Sequence, residues 1–390
     1  MLNKFLKPEA IFVITIIILC AVLIIMPNGF EKDSYDEYIR SKALIMSTDN
    51  SDIVQMGIIK TGTQDLKIRI LDGKFKGHET EATNHLLGKL EVDKMFKEGD
   101  KALVSISYEK DKIIAVNVLD HYRINIEMIL FAIFIIILIA FAGWTGAKAV
   151  ISFVFTILMI WKILLPLFLK GWNPIFVSFA VVVVLIAVII FLVAGLTSKG
   201  LVAFLGSISG ILVTCVFALI FGKGFNIHGA VIPFSETLLH SGYGHLQLTS
   251  IFLSGIFIAS SGAIMDIAMD IAASMNEVID KRPDMTRREL ILSGFTVGKA
   301  VIGTMTTTLL LAYSGGYTAL LMIFLAQGTP VINILNITFV SAEILHTLVG
   351  SFGLVLVAPF TAVLGGFIFK CNTQKVDVTE ETKEVPQSSL

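Results

Sequence analysis

Four acidic residues between positions 261 and 284 have the spacing of one helix face. They are Asp266, Asp270, Glu277 and Asp280. At about 100° per residue they fall within an arc of roughly 80°, and the opposite side of the same helix is an apolar band. Such a face can bind a cation, line a hydrated path or meet a basic partner, or it can simply be solvated. Because Asp266 lies at the edge of an apolar run, where an unpaired carboxylate is costly, we predict a functional role for Asp266 and Asp270.

A lysine stands inside the next apolar segment. Lys299 lies about 13 Å along a helix from the start of that segment, which is deeper than a simple surface anchor. Three residues share its helix face: Thr296, Gly303 and Thr306. Gly294 and Gly298 are four residues apart, a spacing that permits close helix approach. We predict that Lys299 pairs with Asp266 or Asp270 across a helical hairpin. The alternative is that its side chain extends to the cytoplasmic headgroups.

A weaker signal for a metal ion occurs in the loop 223–247. Its potential ligands are Glu236, His240, His228 and His245. Glu236 and His240 are four residues apart, which places two ligands on one helix face. No HExxH motif accompanies them, and a polar loop is the alternative. Glu343 and His346 have the spacing of the carboxylate–histidine pairs in helical bundles. Because one such pair is poor evidence for a metal site, we predict instead that both residues face the headgroup region.

The composition is typical of a membrane protein. The chain of 390 residues is 55% hydrophobic and only 16% charged, with a mean hydropathy of +0.82, whereas soluble domains have about 25% charged residues. The net charge of −1 argues against nucleic acid as a partner. The cysteines Cys20, Cys215 and Cys371 lie far apart, so they predict neither a disulfide framework nor a cysteine-based zinc site.

Nine apolar segments are long enough to suggest membrane spans. They lie near 10–26, 126–142, 147–169, 174–196, 201–222, 248–265, 291–313, 316–327 and 349–369. Residues 328–348 contain several polar side chains and are predicted to be interfacial or re-entrant. Bulky residues end the first segment, so we expect 1–30 to hold an uncleaved signal-anchor helix.

The distribution of Lys and Arg predicts the orientation. Lys4 and Lys7 place the N-terminus in the cytoplasm, and strict alternation then places 31–122 outside the cytoplasm. The same alternation places the loop 281–290 in the cytoplasm, and this loop is the densest basic cluster of the chain. The tail 371–390 is polar and predicted to be disordered, and its side is left open.

Residues 31–122 form the one long hydrophilic stretch. Leu66, Ile68 and Ile70 alternate with Lys67 and Arg69, as in a half-buried strand. The sequence "EKDK" between two further strand-like runs predicts a hairpin. Several short strands in this length predict a small β-barrel of OB or SH3-like type, which we interpret as a structural or docking module.

Two consecutive stretches resemble a known family. "SGAIMDIAMDIAASMNE" followed by "SGFTVGKAVIGTMTTTLLLAYSGG" is similar to the YibE/F-like family of bacterial multi-pass membrane proteins, and the resemblance covers about 120–370. It implies a location in the bacterial cell membrane and no particular activity. Members of this family often have Arg at the Lys299 position followed by an acid, whereas Ala300 follows here.

Together these features predict an all-α polytopic membrane helix bundle (123–370) with a small extracytoplasmic β-barrel-like domain after the first helix. We expect a transporter or permease whose pathway is lined by the hairpin 248–313, because intramembrane polar residues are rare unless they serve a path or an interface. Its predicted pathway residues are Asp266, Asp270, Lys299, Thr306 and Glu277. Lys162 and Pro166 also predict an interrupted helix, which is common near transport sites.

The alternative function is a non-transport scaffold or sensor that uses the extracytoplasmic domain, with polar residues that only join helices. The sequence has no nucleophile elbow, P-loop or dinucleotide motif, so we expect neither an enzyme nor a resident cofactor apart from the weakly indicated metal ion. The expected partners are the lipid bilayer and a small solute or ion. A second copy of the chain or a paralogous membrane subunit is left open.

Overall fold

The computed structural model describes residues 8–30 and 38–381. The chain divides into two compact units. One is helical and lies within Met1–Gly29 and Ala142–Leu390, and the other, Phe30–Phe141, contains the strands that the structure describes.

The second unit contains a small closed barrel. Its strands are β1 (Tyr38–Asp49), β2 (Ile53–Met56), β3 (Ile59–Ile70), β4 (Glu79–Leu87), β5 (Lys101–Glu109) and β6 (Lys112–His121). The sheet order is β1-β5-β6-β4-β3-β2, and an additional β1–β3 pairing closes five strands into the barrel. The β4–β6 pair is parallel and the other pairs are antiparallel.

The predicted strand alternation is confirmed. Leu66, Ile68 and Ile70 are at most 2% exposed and point into the barrel, whereas Lys67 and Arg69 are exposed. The predicted hairpin joins β5 to β6. Lys110 and Asp111 have φ values of 45° and 68°, which is the backbone of a two-residue type I′ turn.

A buried polar network fixes the long β4–β5 connection to the barrel. The Gln64 amide donates to the Phe96 carbonyl oxygen at 2.9 Å and accepts from the Phe96 N–H at 3.0 Å. Asn84 donates to Gln64 Oε1 at 3.1 Å and to the Lys94 carbonyl at 2.7 Å. Because these groups are removed from water, each bond satisfies an atom that would otherwise be buried without a partner.

Within residues 8–30 and 38–381, seven helices are long and apolar enough to cross a membrane. The helices are α1 (Pro8–Ile25), α2 (Ile124–Met159), α3 (Leu165–Leu169), α4 (Pro174–Ala194), α5 (Ser198–Gly224), α6 (Ser235–His240), α7 (Leu248–Lys281), α8 (Arg287–Gly316), α9 (Thr318–Ala326), α10 (Val331–Asn336) and α11 (Thr338–Glu381). A π-helical turn, Ile160–Leu164, joins α2 to α3 just before Pro166, and the backbone is helical on both sides of it. The helix is therefore distorted at the predicted position but is not interrupted there.

Gly143 separates the two spans predicted at 126–142 and 147–169. Its φ of 56° and ψ of −127° are not helical, although α2 and α3 form one continuous apolar stretch of 46 residues. A straight helix of that length would measure about 69 Å, more than twice the hydrocarbon core of a bilayer. The break at Gly143 therefore leaves a separate helical segment of spanning length on each side.

Three of the predicted boundaries differ from the structure. The span predicted at 316–327 is wrong, because α9 has only nine residues and ends before Gly328, whose φ is 62°. The residues 328–348 form α10 and the first turns of α11, so the last long helix begins earlier than the predicted 349. This helix also continues to Glu381, beyond the predicted start of the polar tail, and 382–390 lie outside the described residues.

The helix α1 is an integral part of the helical unit, because it forms contacts with that unit at both ends. Glu9 forms an ion pair with Lys148 at 3.7 Å near one end, and Lys162 Nζ donates to the Met26 carbonyl at 2.7 Å near the other. Between them the α1 residues Val13, Ile16, Cys20 and Leu23 are buried against α2, α3 and α4. Hence α1 runs alongside the segment after Gly143 in the same direction, as the predicted alternation requires.

Two further contacts show which parts of the helical unit lie at the same end. His245 Nε2 lies 3.1 Å from the Leu169 carbonyl oxygen, so the loop 223–247 is at the end of the bundle where α3 ends. Lys370 Nζ donates to the Pro283 carbonyl at 2.6 Å. The position of Lys370 therefore places that part of α11 at the same end as the basic loop 281–290.

We predict that Gln64→Leu destabilises the isolated fragment 31–122, which contains the closed barrel and its own core. The loss should be about 2–3 kcal/mol, because both backbone groups of Phe96 lose their buried partner. The measurement is urea unfolding followed by circular dichroism. Gln55→Leu is the matched control, since Gln55 is exposed and its side-chain amide donates to the nearby Gly57 carbonyl. Equal losses for the two variants, or a fragment that is mainly helix or coil, would contradict the prediction.

Candidate functional site

The helix α7 occupies the centre of the helical unit. It packs against α4, α5, α8 and α11. The apolar band predicted from the sequence is buried: Ile264, Ile267, Ile271 and Met275 are each 0% exposed, and Val278 is half-buried. At about 2 kcal/mol for each fully buried large aliphatic side chain, this band contributes a major part of the packing energy wherever it replaces contact with water.

The acids lie on the opposite face of α7 and all four are exposed. The two nearer the end of the helix have partners on α7 itself: Glu277 pairs with Lys281 at 2.7 Å, and Asp280 accepts from Asn276 at 2.7 Å. Among the described residues, Asp266 and Asp270 form no ion pair and accept no side-chain hydrogen bond. They are like charges one helical turn apart, an arrangement that is destabilising without a cation, proton or water.

Small residues bring α8 close to α7 and α11. A Cβ atom added at Gly294 would lie 2.6 Å from Met275 Sδ and 2.8 Å from Ala362 Cβ. One added at Gly298 would lie 3.0 Å from Ala358 Cβ and 3.3 Å from Ile271 Cδ1. The close approach expected from the spacing of these glycines is therefore present, and it involves two partner helices.

The predicted pairing of Lys299 with Asp266 or Asp270 is wrong. Lys299 is exposed, and within the described residues it forms no ion pair with either acid. The Gly298–Ile271 contact places Lys299 and Asp270 at about the same level of the hairpin. Each charge, however, is one residue, or about 100°, away from the contacting position of its own helix. Apolar groups close the hairpin, and the charged side chains point away from that contact.

The polar stripe of α8 lies mainly on the outer surface of the helical unit. Thr296, Lys299 and Gly303 are exposed, and Thr306 is half-buried. The Thr296 hydroxyl donates to the Leu292 carbonyl of its own helix at 3.0 Å. The polar atoms of this stripe therefore do not join α8 to α7.

The four potential metal ligands do not assemble. Within residues 8–30 and 38–381, no group of three or more His, Cys, Asp or Glu side chains is placed to hold a metal ion. His228, Glu236, His240 and His245 are all exposed. The His245 ring instead contacts the Leu169 carbonyl oxygen. The predicted metal site is therefore not formed, because α6 is a short helix and the loop residues around it point to solvent.

Several contacts hold the basic loop between α7 and α8 in a fixed conformation. Arg282 Nη2 lies 3.1 Å from Asp284 Oδ2, and this hydrogen bond from Arg282 holds the pKa of Asp284 below its usual value. Thr286 and Glu289 form a reciprocal capping box at the start of α8, which satisfies backbone donors there. The loop is thus an ordered end of the hairpin.

Glu343 and His346 are more buried than the predicted position near the headgroups implies. Both are half-buried on α11, next to the buried Ala342, Leu345 and Val349. Their burial could have been predicted from their position among apolar residues at helical spacing. The sequence pattern does not show, however, which other helices cover them.

The fold and the acidic face together indicate a class of protein. The described part of the chain has seven helices long enough to cross a membrane, with carboxylates beside an apolar core, which is the pattern of a multi-pass membrane protein. Two family models match the chain. The model of the YibE/F-like protein family matches residues 130–371, and the model of the YibE/F family N-terminal domain matches residues 38–121. The chain belongs to the YibE/F family, so the resemblance seen in its sequence is confirmed. No curated protein and no solved structure matches the chain.

We predict that Gly294→Leu destabilises the helical unit, because its side chain would overlap Met275 and Ala362. Overpacking of this kind costs about 1–3 kcal/mol. The measurement is the thermal aggregation midpoint of the full chain in detergent. Gly303→Leu is the matched control on the same helix, since a Cβ there meets nothing within 4 Å. If both variants lower the midpoint equally, the close packing of α8 is contradicted.

Proposed function

We propose that this protein is a transporter of a small cation, with the outward face of the α7–α8 hairpin forming one wall of the pathway. The observation that supports it most strongly is the pair Asp266 and Asp270. Both are exposed and without an ionic partner among the described residues, on a helix whose other face is buried. Two adjacent carboxylates facing lipid would be costly, and a passing cation or hydrated path removes that cost.

The proposed depth of these acids fits an entrance to such a pathway. A hydrocarbon core of about 20 residues that begins near Leu248 ends close to position 268. Asp266 then lies inside the core and Asp270 lies at its edge. The exposed face continues along α7 with Gly262 and Ala259, whose small side chains leave room beside the helix.

The proposed orientation places this entrance at the cytoplasmic side of the bacterial cell membrane. The basic loop 281–290 supports this assignment through the excess of Lys and Arg in cytoplasmic loops. The contact of Lys370 with Pro283 puts that part of α11 on the same side. Residues 31–122 are extracytoplasmic in this arrangement.

A second subunit completes the pathway in this proposal. The acids point outward from the single chain, so the opposite wall comes from a second copy or a paralogous membrane subunit. The rival function, a scaffold or sensor, would use the same outward face only for subunit contact. Transport activity distinguishes the two functions.

We expect the full chain in liposomes to move at least one of H⁺, Na⁺, Rb⁺ or methylammonium faster than empty liposomes do. The double variant Asp266→Asn/Asp270→Asn should slow that flux about tenfold, the effect of about 1.4 kcal/mol on a barrier. The measurement uses a pH-sensitive dye for H⁺ and radiotracers for the other cations.

Asp284→Asn is the control, because Asp284 lies in the loop and pairs with Arg282. Its flux should match that of the unmodified protein. No flux above that of empty liposomes for any of the four cations would contradict the proposal. A double variant that is as active as the unmodified protein would contradict it as well.

A further inference from the structure

A partly open cavity of about 230 Å³ lies between the end of α8, α9 and the beginning of α11. It is larger than the engineered protein cavity of about 150 Å³ that accommodates benzene. Its walls are mainly apolar and include Leu310, Leu321, Ile344 and Leu348. None of its described lining residues comes from α7, so it is separate from the acidic face.

One carboxylate lies among these apolar walls. Glu343 lines the cavity, and its Oε1 atom is buried with no hydrogen-bond partner among the described residues. No Lys or Arg is among the described residues that line the cavity. A buried charged group without a partner is costly, so this position favours a cationic ligand group.

Hydroxyl groups accompany the carboxylate. Ser314 and Tyr317 line the same cavity, and hydroxyl oxygens can accept hydrogen bonds from an N–H donor. The combination of one carboxylate, these hydroxyls and an apolar wall matches a ligand with an ammonium group on an apolar body.

The cavity lies far from the basic loop. Glu343 is separated from Lys370 by about 40 Å along α11 at 1.5 Å per residue, and Lys370 contacts the loop at Pro283. This distance exceeds the hydrocarbon thickness of about 30 Å. The cavity therefore lies toward the opposite end of the bundle, at a depth where both lipid headgroups and free amphiphiles are accessible.

We propose that this cavity is a binding site for an amphiphilic ammonium compound, with Glu343 as the anionic contact of its head group and the apolar wall as the contact of its chain. The ammonium group comes either from a lipid headgroup or from a free amine. The site does not depend on whether the acidic face of α7 conducts a cation.

The test measures binding of n-octylammonium to the full chain in nanodiscs of phosphatidylglycerol by isothermal titration calorimetry. We expect n-octylammonium to bind at least about tenfold more tightly than n-octanol, and Glu343→Gln to weaken its binding by about tenfold. Asp284→Asn, an acid outside the cavity, should leave the affinity unchanged. Equal affinities for n-octylammonium and n-octanol, or for Glu343→Gln and the unmodified protein, would overturn the proposal.

A second variant keeps the carboxylate and fills the space. Leu321→Trp should abolish n-octylammonium binding, and it decides the outcome if Glu343→Gln fails to fold. Undiminished binding by Leu321→Trp would show that the ligand lies elsewhere.

Nanodiscs that also contain phosphatidylethanolamine separate the two sources of the ammonium group. Competition between this lipid and n-octylammonium would assign the site to a lipid headgroup. Unchanged affinity in these nanodiscs would assign it to a free amine.

Discussion

The burial of one face of α7 is the constraint on which the helical unit depends. Ile264, Ile267, Ile271 and Met275 are fully buried among four other helices. Since a helix has only one rotational setting that buries this band, the setting also fixes where Asp266 and Asp270 point. The acids are exposed because the apolar band on the opposite face is the side of α7 that is buried. The outward direction of the carboxylates is therefore a consequence of core packing.

The same packing explains why the charges of the hairpin stay apart. Gly294 and Gly298 let α8 approach α7 and α11 closely, so α8 is oriented by its glycine face. Lys299 follows Gly298 by one residue and is rotated out of that contact. Small residues, and not an ion pair, join these helices, as is common where no water is present to drive association. Asp266, Asp270 and Lys299 are therefore exposed on the outer surface of the helical unit.

Local patterns predicted much of this fold, whereas long-range contacts were not predictable from them. The period of 3.6 residues identified both faces of α7, and the period of two identified strands such as β3, because neighbours in sequence determine those faces. The pairing of Lys299 failed because its direction depends on Ala358 and Ala362, far along the chain. The link between Gln64 and Phe96 joins residues 32 positions apart, and no local period encodes it. The helix α9 is short because it ends before Gly328, and hydropathy alone does not detect such a helix end.

The proposed function requires that Asp266 and Asp270 face a hydrated space at membrane depth. Its most direct test places a spin label singly at 266, 270, 267 and 271 in the full chain in liposomes, with the native Cys371 replaced by Ser. Accessibility is then measured to a water-soluble nickel complex and to oxygen. We expect the nickel complex to reach 266 and 270, and neither reagent to reach 267 or 271. High oxygen access with no nickel access at 266 and 270 would mean that this face contacts lipid, and it would contradict a hydrated space there.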